Sequence, residues 1–319
     1  MKLKPATKNY KTELLTPDRL SYAALSLCSG DLVGFPTETV YGLGGLATNE
    51  HAVRKIFSTK GRPQDNPLIV HISREKMLEQ VAQNIPDLFF CLQKRFWPGP
   101  LTCILPRHPN LPSVVSAGLS SVAVRMPAHP IALELIEAVG APLVAPSANL
   151  SGRPSATTAQ HVLEDFDGAI PYIIDGGGCA LGIESTVVSL MGPIPVLLRP
   201  GSISKNSLEE AIGCEVGLPK KGEKALSPGM LHKHYAPKAR VVLCFSQYEK
   251  NAHVLTKASR LILSEEPSFG ERELNARTLY NELRSADQIG CEEVVIVCSE
   301  RTHPALMDRI QRASGVIHK

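Results

Sequence analysis

Apolar residues follow two alternating patterns along the chain. Short apolar runs at DLVGF (31–35), PLIVHI (67–72), LTCIL (101–105), SVAVRM (121–126), APLVAP (141–146), PYIID (171–175), STVVSL (185–190) and PVLLR (195–199) have the length and β-branched content of buried strands. Between them apolar positions recur at three- and four-residue steps, which predicts helices over 17–28, 74–82, 86–96, 129–139, 158–166 and 207–212. Asn49 stands where it caps a further helix, whose Val53, Ile56 and Phe57 form an apolar stripe and which ends at Gly61. Such alternation predicts an α/β architecture with a sheet built partly from crossover units.

From about 213 the pattern lapses into EVGLPKKGEKALSPGMLHKHYAP, rich in Gly, Pro and Lys, which is a linker by composition. Alternation then resumes: VVLCF (241–245), a helix near 247–259, LILS (261–264), a helix near 271–285, EEVVIVCS (292–299) and a helix from about 303 to 314. This reads as a small second domain of Rossmann-like layout, its parallel pairing inferred from the alternation alone. The expected organisation is a large domain over 15–205, a linker over 206–238 and the small domain over 239–319.

Length and composition fit this picture without changing it. At 319 residues, 43% hydrophobic and 20% charged, the chain can bury the cores of about two domains. The formal net charge is +3 and is spread evenly, so no segment is a basic nucleic-acid arm. No cysteine lies close enough to another for a CxxC pair or a zinc ribbon, so the eight thiols read as reduced core residues of a cytoplasmic protein. The basic start, MKLKPATKNYK, has no apolar stretch of a secretory signal, and no run is long enough to span a membrane.

The usual nucleotide, acyl and zinc motifs (Walker A, G-x-S-x-G, HExxH) are absent. GLGGLA (42–47) satisfies a dinucleotide fingerprint in form, but PTETVY separates it from its strand, so tight turns account for its glycines. Polar residues instead collect at strand ends, in PTET (36–39), KGRPQDNP (60–67), SSVAVR (120–125), PSANLSGRPS (146–155), GIESTVV (182–188) and LLRPGS (197–202). Ligands of open α/β sheets lie at such ends, so this is where a polyanion would be held.

The proline-stiffened loop carrying Lys60 and Arg62 can grip phosphate oxygens with little loss of side-chain freedom, although such a loop alone is more often a solvated turn. Arg125 and Arg199 end apolar strands, where an unpaired cation is costly, so each should meet a carboxylate or a phosphate. Ser147, Asn149, Ser151 and Ser155 suit hydrogen bonding to a nucleotide, and are also ordinary turn punctuation. His232 and His234 lack companion ligands, which favours a solvated or ligand-covering role over a metal site.

Taken in order, PTETVYGLG, KGRPQDNPLIVHI, SSVAVRMP, APSANLSG, ESTVV and LLRPG resemble the YrdC-type domain of L-threonylcarbamoyladenylate synthases over roughly 15–205. SPGMLHKHYAP followed by a small α/β domain is similar to the two-domain form of that family. The resemblance implies a twisted, open mixed sheet around a concave cavity. It also implies synthesis of threonylcarbamoyl-AMP and pyrophosphate from L-threonine, bicarbonate or CO₂, and ATP, with Mg²⁺ accompanying the ATP. The product would serve a transferase that modifies tRNA; direct tRNA binding is left open.

Carried over by residue, the family pattern puts Thr37, His71, Arg125, Ser185 and the backbone of Ala145 around threonine. Lys60, Arg62, Asn66, Ser121, Ser147, Asn149, Ser155 and Arg199 fall to ATP, with Lys60 and Arg62 bearing the catalytic charge stabilisation and Tyr235 folding back over the nucleotide. The Gly-rich approach GGGCALGIEST leaves open whether Ser185 or Thr186 makes the contact, and the linker is either a lid or a passive tether. Two rivals stand beside this reading: a carbamoyltransferase forming carbamoyl-AMP, and a noncatalytic RNA-binding module. Low aromatic content, 5%, with Trp97 the only tryptophan, argues against the second.

Overall fold

Strands buried on both faces are written as unbroken apolar runs, and most of the large sheet is made of such runs. The computed structural model describes residues 10–219, 235–246, 249–251, 259–299 and 301–315. His232, His234 and most of the helix expected over 247–259 lie outside the described residues.

Ten strands form a mixed sheet: β1 (Glu13–Leu15), β2 (Val33–Phe35), β3 (Gly42–Leu46), β4 (Ile69–His71), β5 (Leu101–Pro106), β6 (Ser121–Arg125), β7 (Leu143–Val144), β8 (Tyr172–Ile174), β9 (Thr186–Ser189) and β10 (Val196–Arg199). Their order is β1-β8-β2-β3-β7-β4-β6-β5-β9-β10. The helices are α1 (Leu20–Cys28), α2 (Glu50–Lys60), α3 (Asp87–Phe96), α4 (Pro130–Val139), α5 (Ala159–Phe166) and α6 (Lys205–Ile212). The helix expected over 74–82 is a 3₁₀ segment, Glu75–Gln80.

Two local details place the basic loop. The Asn49 side chain accepts from the Ala52 amide and starts α2, which ends at Gly61 with φ 61° and its N–H on the carbonyls of Phe57 and Ser58. Lys60 is therefore fixed on the last helical turn, and the chain reverses straight into Arg62. In the parallel β4–β6 pair the terminal residues His71 and Arg125 stand side by side in register.

The glycines of GLGGLA do not form the expected turns; they belong to β3, and none has a positive φ. Their role is close packing. A Cβ on Gly44 would come 2.9 Å from the Phe35 ring, and one on Gly45 would meet Leu32 and Ile56 at 3.0 and 3.2 Å. The reading of all cysteines as core thiols also needs correction. All eight are free, but Cys28, Cys91 and Cys214 are exposed.

The second sheet comprises β11 (Arg240–Cys244), β12 (Arg260–Ser264), β13 (Arg272–Glu273) and β14 (Glu293–Val297), in the order β11-β14-β12-β13 with every pair parallel. Helices α7 (Leu279–Gln288) and α8 (Pro304–Ser314) pack on it. The helix expected near 271–285 begins later because Arg272 and Glu273 pair with β12 instead.

This small domain shares its core with the large one. Val40 and Ile183, from two loops of the large sheet, are buried in the same apolar cluster as Leu279, Leu283 and Ile310. The approach is close enough that a Cβ on Gly182 would lie 2.5 Å from Arg277 Cα. Arg284, almost fully buried, crosses the interface from α7. Its Nη2 donates to Asp165 Oδ2 at 2.9 Å and to the Pro154 carbonyl at 2.8 Å. Asp165 in turn accepts from the Leu150 amide at 2.9 Å, so the same carboxylate ties down the PSANLSG loop.

Removing one partner of a buried ion pair leaves the other charge poorly compensated. Arg284→Met should therefore lower unfolding free energy by about 3 kcal/mol, measured by urea denaturation. Unchanged stability would show that Asp165 is satisfied without it.

Candidate active site

One cavity, about 760 Å³ with its open mouth included, lies against the large sheet. Its walls gather Thr37, Lys60, Arg62, His71, Arg125, Ala145, Ser147, Asn149, Ser185, Arg199 and Tyr235 from across the chain. Asn66, Ser121 and Ser155 do not line it. Asn66 contributes its carbonyl to Arg62, Ser155 donates to Glu184 from behind the wall, and Ser121 sits at the end of β6 remote from Arg125.

Four cations in the walls are each less than a tenth exposed, so how they are held decides what the cavity can bind. Lys60 Nζ donates to the backbone carbonyls of Ser147 and Asn149, with no carboxylate bonded to it. Burial, and then neighbouring Arg62, lower its pKa well below the ordinary lysine value. Arg62 donates from Nε to the Asn66 carbonyl at 3.2 Å and from Nη2 to the Pro67 carbonyl at 3.0 Å, and burial draws it down to about 10. Arg199 donates to the Ser185 carbonyl at 3.0 Å and to Ser185 Oγ at 3.1 Å. These three cations rest on carbonyl and hydroxyl oxygens, whose dipoles orient them without cancelling their charge.

Arg125 differs. Its Nε donates to the Gly99 carbonyl at 3.2 Å, Nη1 donates to Thr39 Oγ1 at 2.8 Å, and Nη2 lies 2.6 Å from Glu38 Oε1. That last contact is off the line of a hydrogen bond and is a charge pair only. A ligand carboxylate on Arg125 would thus share the guanidinium with Glu38. Beside it, burial and Arg125 depress His71 to about 3, which makes the imidazole neutral over the physiological range.

Ser185 lines the cavity and exchanges a 2.7 Å hydrogen bond with Thr102. Thr186 turns away, donating to the Ile203 carbonyl at 2.9 Å and accepting from the Ile203 amide. Between the two alternatives left by the sequence, the hydroxyl facing the cavity is that of Ser185.

Tyr235 closes one side. It has φ 64°, and its ring lies 5.3 Å from that of Tyr280 and 5.7 Å from the Arg309 guanidinium. The next amide, of Ala236, donates to the Gly152 carbonyl at 2.9 Å, seating the segment on the PSANLSG loop.

Sequence reasoning missed the wall carboxylate Glu184. It accepts from Ser155 Oγ at 2.6 Å, from Tyr280 Oη at 2.9 Å and from Arg309 Nε at 2.8 Å. Burial raises its pKa, but Arg309 and then Arg199 outweigh this and hold it down to about 2. A usable signal existed: Arg309 stands in the inward apolar stripe of α8 with Leu306, Ile310 and Ala313, a position where a cation requires a buried partner. Among the described residues no cluster of three or more His, Cys, Asp or Glu could hold a metal ion. Nor is any described helix long and apolar enough to cross a membrane.

Comparison with known proteins gives the chain its family. A family model described as "Telomere recombination" (Sua5_yciO_yrdC) matches residues 26–201, and one described as "Threonylcarbamoyl-AMP synthase, C-terminal domain" matches residues 203–315. The threonylcarbamoyl-AMP synthase of Bacillus subtilis is 44% identical over 99% of both chains. That of Schizosaccharomyces pombe is 36% identical, covering 89% of this chain and 85% of its own. The crystal structure of Pyrococcus abyssi Sua5 complexed with L-threonine superposes with a TM-score of 0.88 at 40% identity, covering 97% of this chain and 99% of that one. Matched in both domains and along nearly its whole length, the chain belongs to the threonylcarbamoyl-AMP synthase family.

Proposed function

We propose that this protein makes threonylcarbamoyl-AMP and pyrophosphate from L-threonine, bicarbonate or CO₂, and ATP, supplying a cytoplasmic transferase that modifies tRNA. The observation that carries the reading is the cavity itself, in which Lys60, Arg62 and Arg199 are buried on oxygen dipoles with their charge left for an anionic ligand. A triphosphate is such a ligand, and charge-assisted bonds to it are the strong ones.

In this proposal the threonine amine adds to CO₂ and gives up a proton to form the carbamate; where the CO₂ comes from bicarbonate, that proton and the hydroxide released leave as water. A carboxylate oxygen of the resulting carbamate then attacks the α-phosphorus of ATP, a new P–O bond forms, and the bond to pyrophosphate breaks. Neither substrate needs a protein nucleophile. The chain's task is to bring two anions together, which electrostatic preorganisation accomplishes. Lys60, Arg62 and Arg199 take the triphosphate, with Ser147, Asn149 and Tyr235 around the rest of the nucleotide. Thr37, His71, Arg125, Ser185 and the Ala145 backbone surround threonine, and His71 acts as a neutral hydrogen-bonding group.

Mg²⁺ fits this site only as a companion of ATP. The wall offers Glu184 as a carboxylate, but that group is already engaged by Ser155, Tyr280 and Arg309. The ion would be held by phosphate oxygens and supply additional neutralising charge. Residues 15–205 form the catalytic unit in this reading, 206–238 carry Tyr235 into its wall, and 239–319 anchor that segment.

Incubation with threonine, bicarbonate and ATP should give an AMP-linked product and pyrophosphate, with carbamoyl phosphate unable to replace threonine and bicarbonate. Lys60→Ala and Arg62→Ala should each lower turnover roughly ten- to a hundredfold, as expected for loss of ~1.5–3 kcal/mol of charge-assisted bonding, while circular dichroism stays native. Wild-type turnover in both would contradict the assignment.

The depressed pKa of Lys60 adds a proton-linked prediction. A phosphate beside the ammonium favours its charged form, so ATP binding should take up protons as pH rises past the free-protein value, and affinity should fall with further increase in pH. Calorimetry in buffers of different ionisation enthalpy measures this uptake. It should vanish in Lys60→Met.

A further inference from the structure

The wall of a cavity for anions contains a carboxylate, and the cation that answers it comes from the other domain. Glu184 lines the cavity, its carboxylate 2.8 Å from Arg309 Nε and 2.9 Å from Tyr280 Oη. Both partners belong to the small domain, on α8 and α7, and both are fully buried. On the cavity side, Glu184 directly precedes Ser185, whose carbonyl and hydroxyl hold the Arg199 guanidinium. Arg199 and Glu184 also feel each other's charge.

An unanswered carboxylate here would act in two ways. It would repel triphosphate at short range, where the low-dielectric surroundings strengthen charge interactions. It would also draw Arg199 onto itself and away from the cavity. Arg309 prevents both, since Asp308, its other carboxylate neighbour at 2.6 Å, is shared with Arg312. The contact continues to Tyr235, whose ring the Arg309 guanidinium approaches at 5.7 Å.

We infer that Arg309 and Tyr280 are positioning residues for nucleotide binding: from the small domain they neutralise and fix Glu184, leaving Arg199 and the cavity's positive charge to the triphosphate. The inference rests on the nucleotide-binding reading of the cavity and assigns the small domain a direct part in it, beyond anchoring a linker.

The distinguishing property is charge pairing. If Arg309 acts by cancelling Glu184, removing both charges should restore what removing one destroys. ATP affinity is to be measured by calorimetry on the full chain for wild type, Arg309→Met, Arg309→Lys and the double variant Glu184→Gln with Arg309→Met. Arg309→Met should bind ATP roughly tenfold or more weakly, from one uncompensated charge near the phosphates. Arg309→Lys and the double variant should bind within about threefold of wild type, a tolerance below the effect of a single charge. In turnover assays the loss in Arg309→Met should appear in KM for ATP more than in KM for threonine.

A merely structural role for Arg309 predicts no rescue by Glu184→Gln. The proposal is overturned if Arg309→Met binds ATP like wild type, or if the double variant binds no better than Arg309→Met. Should Arg309→Met fail to fold, the double variant carries the test, because the proposal makes the two charges dispensable as a pair. A double variant that neither folds nor binds also overturns it. Wild-type protein that binds no ATP would instead overturn the reading of the cavity, and this proposal with it.

Discussion

The structure depends on keeping cations in a place where little of them reaches solvent. Taking an ammonium or guanidinium from water costs several kcal/mol, on the order of what the whole fold has to spare. A carboxylate partner would offset that cost and also cancel the charge. Here the Lys60 ammonium is seated instead on the carbonyls of Ser147 and Asn149, and Arg62 on those of Asn66 and Pro67. Carbonyl dipoles lower the cost without removing the charge, but only if the loops carrying them cannot relax. Much of the rest of the molecule can be understood as meeting that condition.

The α2 cap at Gly61 fixes where the basic loop begins, and Asp165 pins the PSANLSG loop through the Leu150 amide. Asp165 is itself held by Arg284 from the small domain. The two sheets therefore share the work: the large one brings the cavity walls together, and the small one braces the loops from outside. Their common apolar cluster, which includes Val40 and Ile183, makes that bracing part of the fold's core. The same burial bears on the RNA-binding alternative. Cations less than a tenth exposed inside a cavity cannot track a nucleic-acid backbone, which requires charges displayed along an accessible surface.

The sequence made the architecture legible where buried strands are written as apolar runs; β4, β5, β6, β9 and β10 all fall where those runs lie. It misled at β3, whose glycines carry no apolar signal because neighbouring side chains, Phe35 above all, occupy the space their own would need. Among site residues, Arg125 and Arg199 were legible as charges at the ends of apolar strands, and Lys60 and Arg62 as cations beside a proline-stiffened turn. Ser121 and Ser155 were less so, since a serine reads alike whether it faces a ligand or a neighbouring carboxylate. Glu184 and its partners were hardest: Tyr280 and Arg309 are more than ninety positions away in the chain, and only the packing of one domain on the other brings them to it.

The central claim is that the buried positive charge is kept for the phosphates of a nucleotide. Its most direct test is a calorimetric comparison of AMP, ADP and ATP binding to the wild-type protein at two salt concentrations. Affinity should climb steeply with each added phosphate, and the gain should shrink at the higher salt. AMP binding as tightly as ATP, with no dependence on salt, would contradict the account.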